Sequence, residues 1–298
     1  MLAPFTARDG ENLALYEWPL MGWASEKGDD APPPRGVVLL VHGLGEHAVR
    51  YDHVACKLMD WGFAVRAYDQ RGHGQSGGAR GVLPTDTALL DDMTEIVDDT
   101  RTRFRNTPHG LNNSQPTPLI VLGHSLGGLV ASRFVALNVR PIDGLVLSSP
   151  ALGVGMNALQ KMLLAVLPRL APNLRVGNGL DASYLSHDER VVKAYLADRL
   201  VHNKVSPRLA SFIATAGPPT VAAAAQWHTP TLLMYAGADR LVNPAGSRAF
   251  ADNAAASKSV KPGTVTAKCF DAMRHELFNE IDADLVFETL KSWLNARF

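Results

Sequence analysis

Gly123-His124-Ser125-Leu126-Gly127 sets a serine between small residues, the pattern of a nucleophile presented on a sharp turn between a strand and a helix. Gly74-Gln75-Ser76-Gly77-Gly78 fits the same pattern, so spacing alone decides nothing. Context separates the two. Ser125 follows the apolar run Leu119 to Leu122 and opens a helix-like stretch in which Leu126, Leu129, Val130, Phe134 and Leu137 share a face. Small residues suit such a turn because it strains the backbone and presses it on its neighbours. Ser76 is followed by Gly78, Gly81 and Pro84, which do not start a helix, so it reads as a loop serine. Gly72 to Gly77 also spells GxGxxG, but a dinucleotide needs a helix N-terminus at that turn. NAD binding is therefore not expected.

A serine hydroxyl is a weak nucleophile and needs an imidazole base oriented by a carboxylate. In folds built around such an elbow the chain order is serine, acid, histidine. Of the ten histidines, His187, His202, His228 and His275 follow Ser125. The first two lie in a region without strand signals, and His228 precedes its strand instead of ending one. His275 comes just after the last strand run. Asp239 follows the strand before it and is the expected acid. Asp271, the competitor, sits too near His275 to be anything but a neighbour on its loop. The expected arrangement is Ser125 as nucleophile, His275 as base and Asp239 as its orienting acid.

Acyl transfer also needs two donors aimed at the developing oxyanion. Leu126 N–H, directly after the nucleophile, is one. The loop His42-Gly43-Leu44-Gly45-Glu46-His47 offers Leu44 N–H as the other. His42, His47, His53 and His73 invite a metal reading, but no HExxH occurs, and no metal is expected. The two cysteines, Cys56 and Cys269, cannot form a Cys-rich site. They are expected as two buried free thiols.

These residues must be positioned by a scaffold, and its elements are readable. Val37 to Val41, Ala64 to Tyr68, Leu119 to Leu122, Leu145 to Leu147, Leu232 to Tyr235 and Val265 to Phe270 read as strands, several apolar on both faces as buried parallel strands are. Helical patterns such as Asp86 to Arg105 alternate with them. This predicts an α/β fold with a mostly parallel central sheet flanked by helices, with function on the loops at the strands' carboxyl ends. From Ala151 to about Val221 no strand is evident. There Leu159, Met162, Leu163, Val166, Leu167 and Leu170 form one apolar stripe. The expected organisation is a core of residues 1–150 and 222–298 with a helical insertion at 151–221.

Composition sets the limits. The chain has 298 residues, 46% hydrophobic and 19% charged, with 29 basic and 29 acidic side chains. Such a balance provides no field for nucleic acid and no polybasic anchor for anionic lipid. With neither a signal peptide pattern nor a span of 18 apolar residues, a cytoplasmic location is expected.

Taken together, the motifs resemble the monoacylglycerol lipase and lysophospholipase-like group of α/β-hydrolases, also labelled serine aminopeptidase-like. The resemblance rests on His42 to His47 with Arg50-Tyr51, on Asp69-Gln70-Arg71-Gly72-His73-Gly74-Gln75-Ser76, on Gly123 to Gly128, and on Gly237-Ala238-Asp239-Arg240-Leu241-Val242. It implies an α/β-hydrolase fold with a helical cap inserted after the sixth strand. It also implies that Arg50, His124 and Tyr195 lie near the alcohol end of the substrate. The function expected is hydrolysis of carboxylic esters with one medium or long acyl chain, monoacylglycerols first, through an acyl-enzyme and without a cofactor. The partner is then a small lipid ester, with transient contact of the cap on a membrane surface. A lysophospholipase or general carboxylesterase shares every residue named. An aminopeptidase needs acidic groups for a substrate ammonium, for which Glu46 and Glu189 are the candidates. A non-catalytic ligand-binding relative usually has a broken triad, and here all three members are present.

Overall fold

The computed structural model describes residues 2–18, 33–105, 116–153 and 166–298. The strand runs anticipated above form β3 (Val37–Val41), β4 (Ala64–Tyr68), β5 (Leu119–His124), β6 (Gly144–Ser148), β9 (Thr231–Ala236) and β10 (Val265–Phe270). Two further strands precede them, β1 (Leu2–Thr6) and β2 (Asn12–Trp18), paired antiparallel. The resulting sheet runs β1-β2-β4-β3-β5-β6-β9-β10, parallel from β4 onward.

Alternation along the strands fills two cores. Val37, Leu39, Val41, Leu119 and Val121 face one layer. That layer is built by the helices α2 (Ala88–Arg105), α3 (Leu126–Ala136), α5 (Pro207–Ala223) and α6 (Pro244–Ala256). Val38, Leu40, Ile120 and Leu122 face the other, closed by α1 (Asp52–Asp60) and α7 (Ala283–Asn295). Each such side chain, fully withdrawn from water, contributes on the order of 1.5–3 kcal/mol. Buried strands with both faces covered are what an uninterrupted Val/Leu/Ile run specifies.

Between β6 and β9 the chain leaves the sheet. Of the apolar stripe, Leu159, Met162 and Leu163 lie outside the described residues. Val166 and Leu170 are exposed, at 46% and 77%, and Leu167 is half-buried. The expectation of no strand here is corrected by a two-residue antiparallel ribbon, β7 (Val176–Gly177) with β8 (Lys204–Val205). Helix α4 (Glu189–Ala197) lies between them, and α5 follows, packing on α3 and α6. Pro218 and Pro219 sit inside α5.

Two smaller expectations are corrected. Leu137 is the residue after α3 and is 47% exposed, so the shared apolar face ends at Phe134. Both cysteines are free, but Cys56 is exposed and Cys269 only partly covered. Among the described residues no helix is long and apolar enough to cross a membrane.

Candidate active site

The register of the sheet brings the functional loops to one edge. Val41 pairs with Gly123, His124 with Ser148, Ser148 with Met234, and Ala236 with Phe270. The loops holding Leu44, Ser125, Asp239 and His275 therefore leave the same carboxyl-end rim. The crevice between β3 and β5 is where successive connections run to opposite sides, the position where open parallel sheets bind ligands.

Ser125 has φ 51° and ψ −116° and caps α3. A non-glycine residue at such angles carries on the order of 1–3 kcal/mol of strain. Three backbone hydrogen bonds hold it there: Ser125 N donates to Ser148 O, and Ser125 O accepts from Leu129 N and Ala151 N, each at 3.0 Å. The turn needs glycine at 127, where a β-carbon would collide with the carbonyl oxygens of Val41 and His42. As the first residue of α3, Leu126 has an N–H that finds no acceptor within its own helix.

His275 Nδ1 lies 2.7 Å from Asp239 Oδ2, with both side chains almost fully buried. The other carboxylate oxygen, Oδ1, accepts from Leu241 N at 2.8 Å and Val242 N at 2.9 Å. Burial alone raises the carboxyl, but the His275 bond and the two amides outweigh it and hold Asp239 below its ordinary value. An ionised Asp239 keeps the imidazole proton on Nδ1 and leaves Nε2 as an acceptor. Asp271 stays exposed and accepts from Cys269 Sγ at 3.1 Å.

Ser125 and His275 line one cavity of about 1040 Å³ together with Gly43, Leu44, Leu126, His124 and Tyr195. The His124 ring centroid is 4.7 Å from that of His275. Burial first, and then the neighbouring His275, push His124 down to about 4, so it is neutral, and its Nδ1 shares a hydrogen with Ser148 Oγ at 3.2 Å.

Arg50 is placed differently. Its guanidinium makes paired bonds to Glu276 at 2.7 and 2.8 Å, a further bond to Glu46, and stacks 4.8 Å from the Tyr195 ring centroid. Glu46 also accepts from Gly43 N at 2.6 Å and from Tyr51 OH at 2.7 Å. Burial raises this carboxyl, but Arg50, His124, His42 and Tyr51 together hold it at about 2. Glu46 is thus an internal counter-ion that anchors the loop of Leu44. Glu189 is exposed and pairs with Lys193 at 3.3 Å. The other acids on the cavity wall are also engaged: Asp198 by His47, Asp181 by Ser183 N, and Glu276 by Arg50 and Asn279.

Two residues gain a place that sequence reasoning did not give them. His202, set aside for lying in the insertion, lines the cavity, and its N–H donates to Gly45 O at 2.8 Å. His47 Nε2 meets Asp198 Oδ2 at 2.7 Å, tying the first loop to the end of α4. The signal for both lies only in the folding of the insertion over the rim. Ser76 is buried on the far loop, accepting from Ala14 N at 2.9 Å and donating to Asp69 O at 2.5 Å. No group of three or more His, Cys, Asp or Glu that could hold a metal ion occurs among the described residues.

The chain is similar to known proteins. The chain is 38% identical over 265 residues to a monoacylglycerol lipase of Mycolicibacterium smegmatis, covering 88% of each chain. It is 30% identical to a phospholipase of Bacillus subtilis over 271 residues, 88% of this chain and 96% of that one. The crystal structure of a Paleococcus ferrophilus monoacylglycerol lipase superposes with a TM-score of 0.78 at 30% identity, covering 96% and 99% of the two chains. The architecture is the α/β-hydrolase fold. With residues 32–282 also matching the family described as serine aminopeptidase, S33, the chain belongs to that family of α/β-hydrolases.

Proposed function

We propose that the chain is a serine hydrolase of carboxylic esters bearing one medium or long acyl chain, with monoacylglycerols its first substrates. The observation that carries this reading is that one largely apolar cavity holds both Ser125, on its strained turn, and His275, oriented by Asp239. Ser125 Oγ attacks the ester carbonyl while His275 Nε2 takes its proton. The N–H groups of Leu44 and Leu126 hold the oxyanion, each contributing roughly 10²–10³-fold in rate. As the intermediate collapses, His275 protonates the departing alcohol, leaving Ser125 acylated. Water, activated by His275, then releases the fatty acid. Leu126, Leu167, Leu185, Ile213 and Val242 provide the apolar wall for the acyl chain. His124 and Tyr195 face the same space near the alcohol, while Arg50 acts on it through Tyr195 and Glu276. Residues 151–221 serve as the cap, and exposed Leu170 and Leu196 rest transiently on a lipid surface.

The engaged acids on the cavity wall argue against an ammonium-binding peptidase. A lysophospholipid has one observation in its favour, Lys204 on the cavity wall, and the phospholipase among the relatives agrees with it. The test is a fluorophosphonate probe on the wild type and on Ser125→Ala, followed by a panel of monoacylglycerols, lysophospholipids, p-nitrophenyl esters and aminoacyl anilides. Labelling that survives the substitution removes Ser125 as nucleophile. A preference for anilides overturns the lipase reading.

A further inference from the structure

His42, directly after β3, has a ring that is only 1% exposed. Its Nδ1 lies 2.7 Å from Gly43 O, and its Nε2 accepts from Gln70 N at 2.8 Å. A backbone N–H can only donate, so Nε2 must be the bare acceptor of the ring. The single ring proton then sits on Nδ1 and is donated to the Gly43 carbonyl. Burial, outweighing the nearby Asp69 and Glu46 carboxylates, lowers the ring below the ordinary imidazole value and keeps it neutral.

The Gly43 carbonyl and the Leu44 N–H belong to one planar trans peptide, so fixing the oxygen on one side fixes the N–H on the other. The peptide before it is held at both ends as well. Gly43 N donates to Glu46 Oε1 at 2.6 Å, and His42 O accepts from Gln70 Nε2 at 2.6 Å. Glycine at 43 is required by space, since a β-carbon there would stand 2.7 Å from Glu46 Oε1 and 3.3 Å from Ser125 Cβ. Yet glycine is also the residue least able to resist rotation of its flanking peptides. A turned 43–44 peptide would withdraw the donor and present a carbonyl oxygen to the developing negative charge.

We propose that His42 is a positioning residue that presets Leu44 N–H toward the oxyanion by holding the Gly43 carbonyl from behind. The inference rests on the function proposed above. It assigns a role to a histidine that neither acid–base catalysis nor substrate contact uses.

The test compares wild type, His42→Leu and His42→Asn, the last because an asparagine amide can donate to Gly43 O in place of Nδ1–H. With His42→Leu, kcat is expected to fall about 10²-fold while KM stays within about threefold. Affinity for an alkylboronic acid, whose tetrahedral adduct on Ser125 mimics the intermediate, should fall by a similar factor. Affinity for a non-hydrolysable ether analogue of the substrate should hold. His42→Asn should recover most of the loss. The inference is overturned if His42→Leu keeps wild-type kcat, if both inhibitors weaken equally, or if folded His42→Asn is no better than folded His42→Leu. Two-bond 1H–15N spectra of the unaltered protein decide the matter even where a variant does not fold. His42 is expected as the Nδ1–H tautomer, and an Nε2–H signal overturns the proposal. Failure of the boronic acid to form any adduct with wild-type Ser125 would instead count against the proposed function.

Discussion

Arg50 grips Glu276 through two parallel bonds of 2.7 and 2.8 Å, joining the loop after β3 to the residue next to His275 across most of the chain. The same guanidinium neutralises Glu46, which holds Gly43 N. One cation thus ties the loop of Leu44 to the loop of His275.

Removing that cation leaves two carboxylates buried without compensation. Arg50→Ala should lower stability by about 3–5 kcal/mol. Arg50→Lys should recover only part, because an ammonium cannot reproduce the planar fork. Urea unfolding at neutral pH measures both, and a lysine variant as stable as the wild type would contradict the assignment.

Acid should act in two windows. Glu46 is depressed from 4.5 to about 2, so its contribution is complete above pH 4.5 and disappears as pH falls from there through about 2. Buried His124 is held at about 4 against an ordinary 6.5. Between these values the unfolded chain binds the extra proton, so stability falls with pH at about 1.4 kcal/mol per unit for this residue. Burial lowers His42, His73 and His202 in the same direction. Denaturant midpoints should already decline from pH 6.5 to 5 in the wild type and less steeply in His124→Asn. A flat midpoint there would refute the histidine assignment.

Asp239→Asn keeps the acceptor for Leu241 and Val242 but turns an amide toward His275. The wrong imidazole tautomer should then lower kcat by about 10⁴-fold with little change in KM. Steady-state kinetics on a soluble ester reads this out, and a loss under tenfold would point to a different acid.

The two GxSxG serines should separate cleanly. Ser76→Ala is expected to retain fluorophosphonate labelling while losing about 1–3 kcal/mol from the unmet Ala14 N–H. Gly127→Ala, whose added methyl meets the Val41 carbonyl, should lose labelling altogether. Labelling that depends on Ser76 would reverse the assignment.

Leu170 and Leu196 are 77% and 70% exposed. Replacing both with serine should weaken sedimentation with lipid vesicles and slow hydrolysis of emulsified long-chain esters. Turnover of a water-soluble short ester should stay unchanged. Equal losses on both substrates would argue against surface contact.

The sheet and the candidate site are largely legible in the sequence. Ser125 announces itself because its evidence is local: an apolar run before it and a helix pattern after it. Asp239 and His275 follow from chain order and strand ends. The rest depends on chain folding back on itself. The hairpin of β1 and β2 carries a weak sequence signal because β2 mixes buried Leu13 and Leu15 with partly exposed Glu17 and Trp18. Glu46 reads as a free acid until Arg50 and Tyr51 are seen on it. His202 could not be placed without knowing that residues 202–206 lie against the glycine loops, where Ser206 N also meets Gly81 O.

Among the described residues, strand β10 stands at the edge of the sheet with β9 as its sole strand neighbour, and His275 lies just beyond it. During synthesis, Ser125 and Asp239 are therefore made well before His275, the proposed base. In the proposed mechanism, until β10 docks in register on β9 the growing chain holds a nucleophile without a base. Hydrolytic activity thus reports completion of the last parallel pairing, and its reappearance during refolding should lag the signals of the first strands and helices.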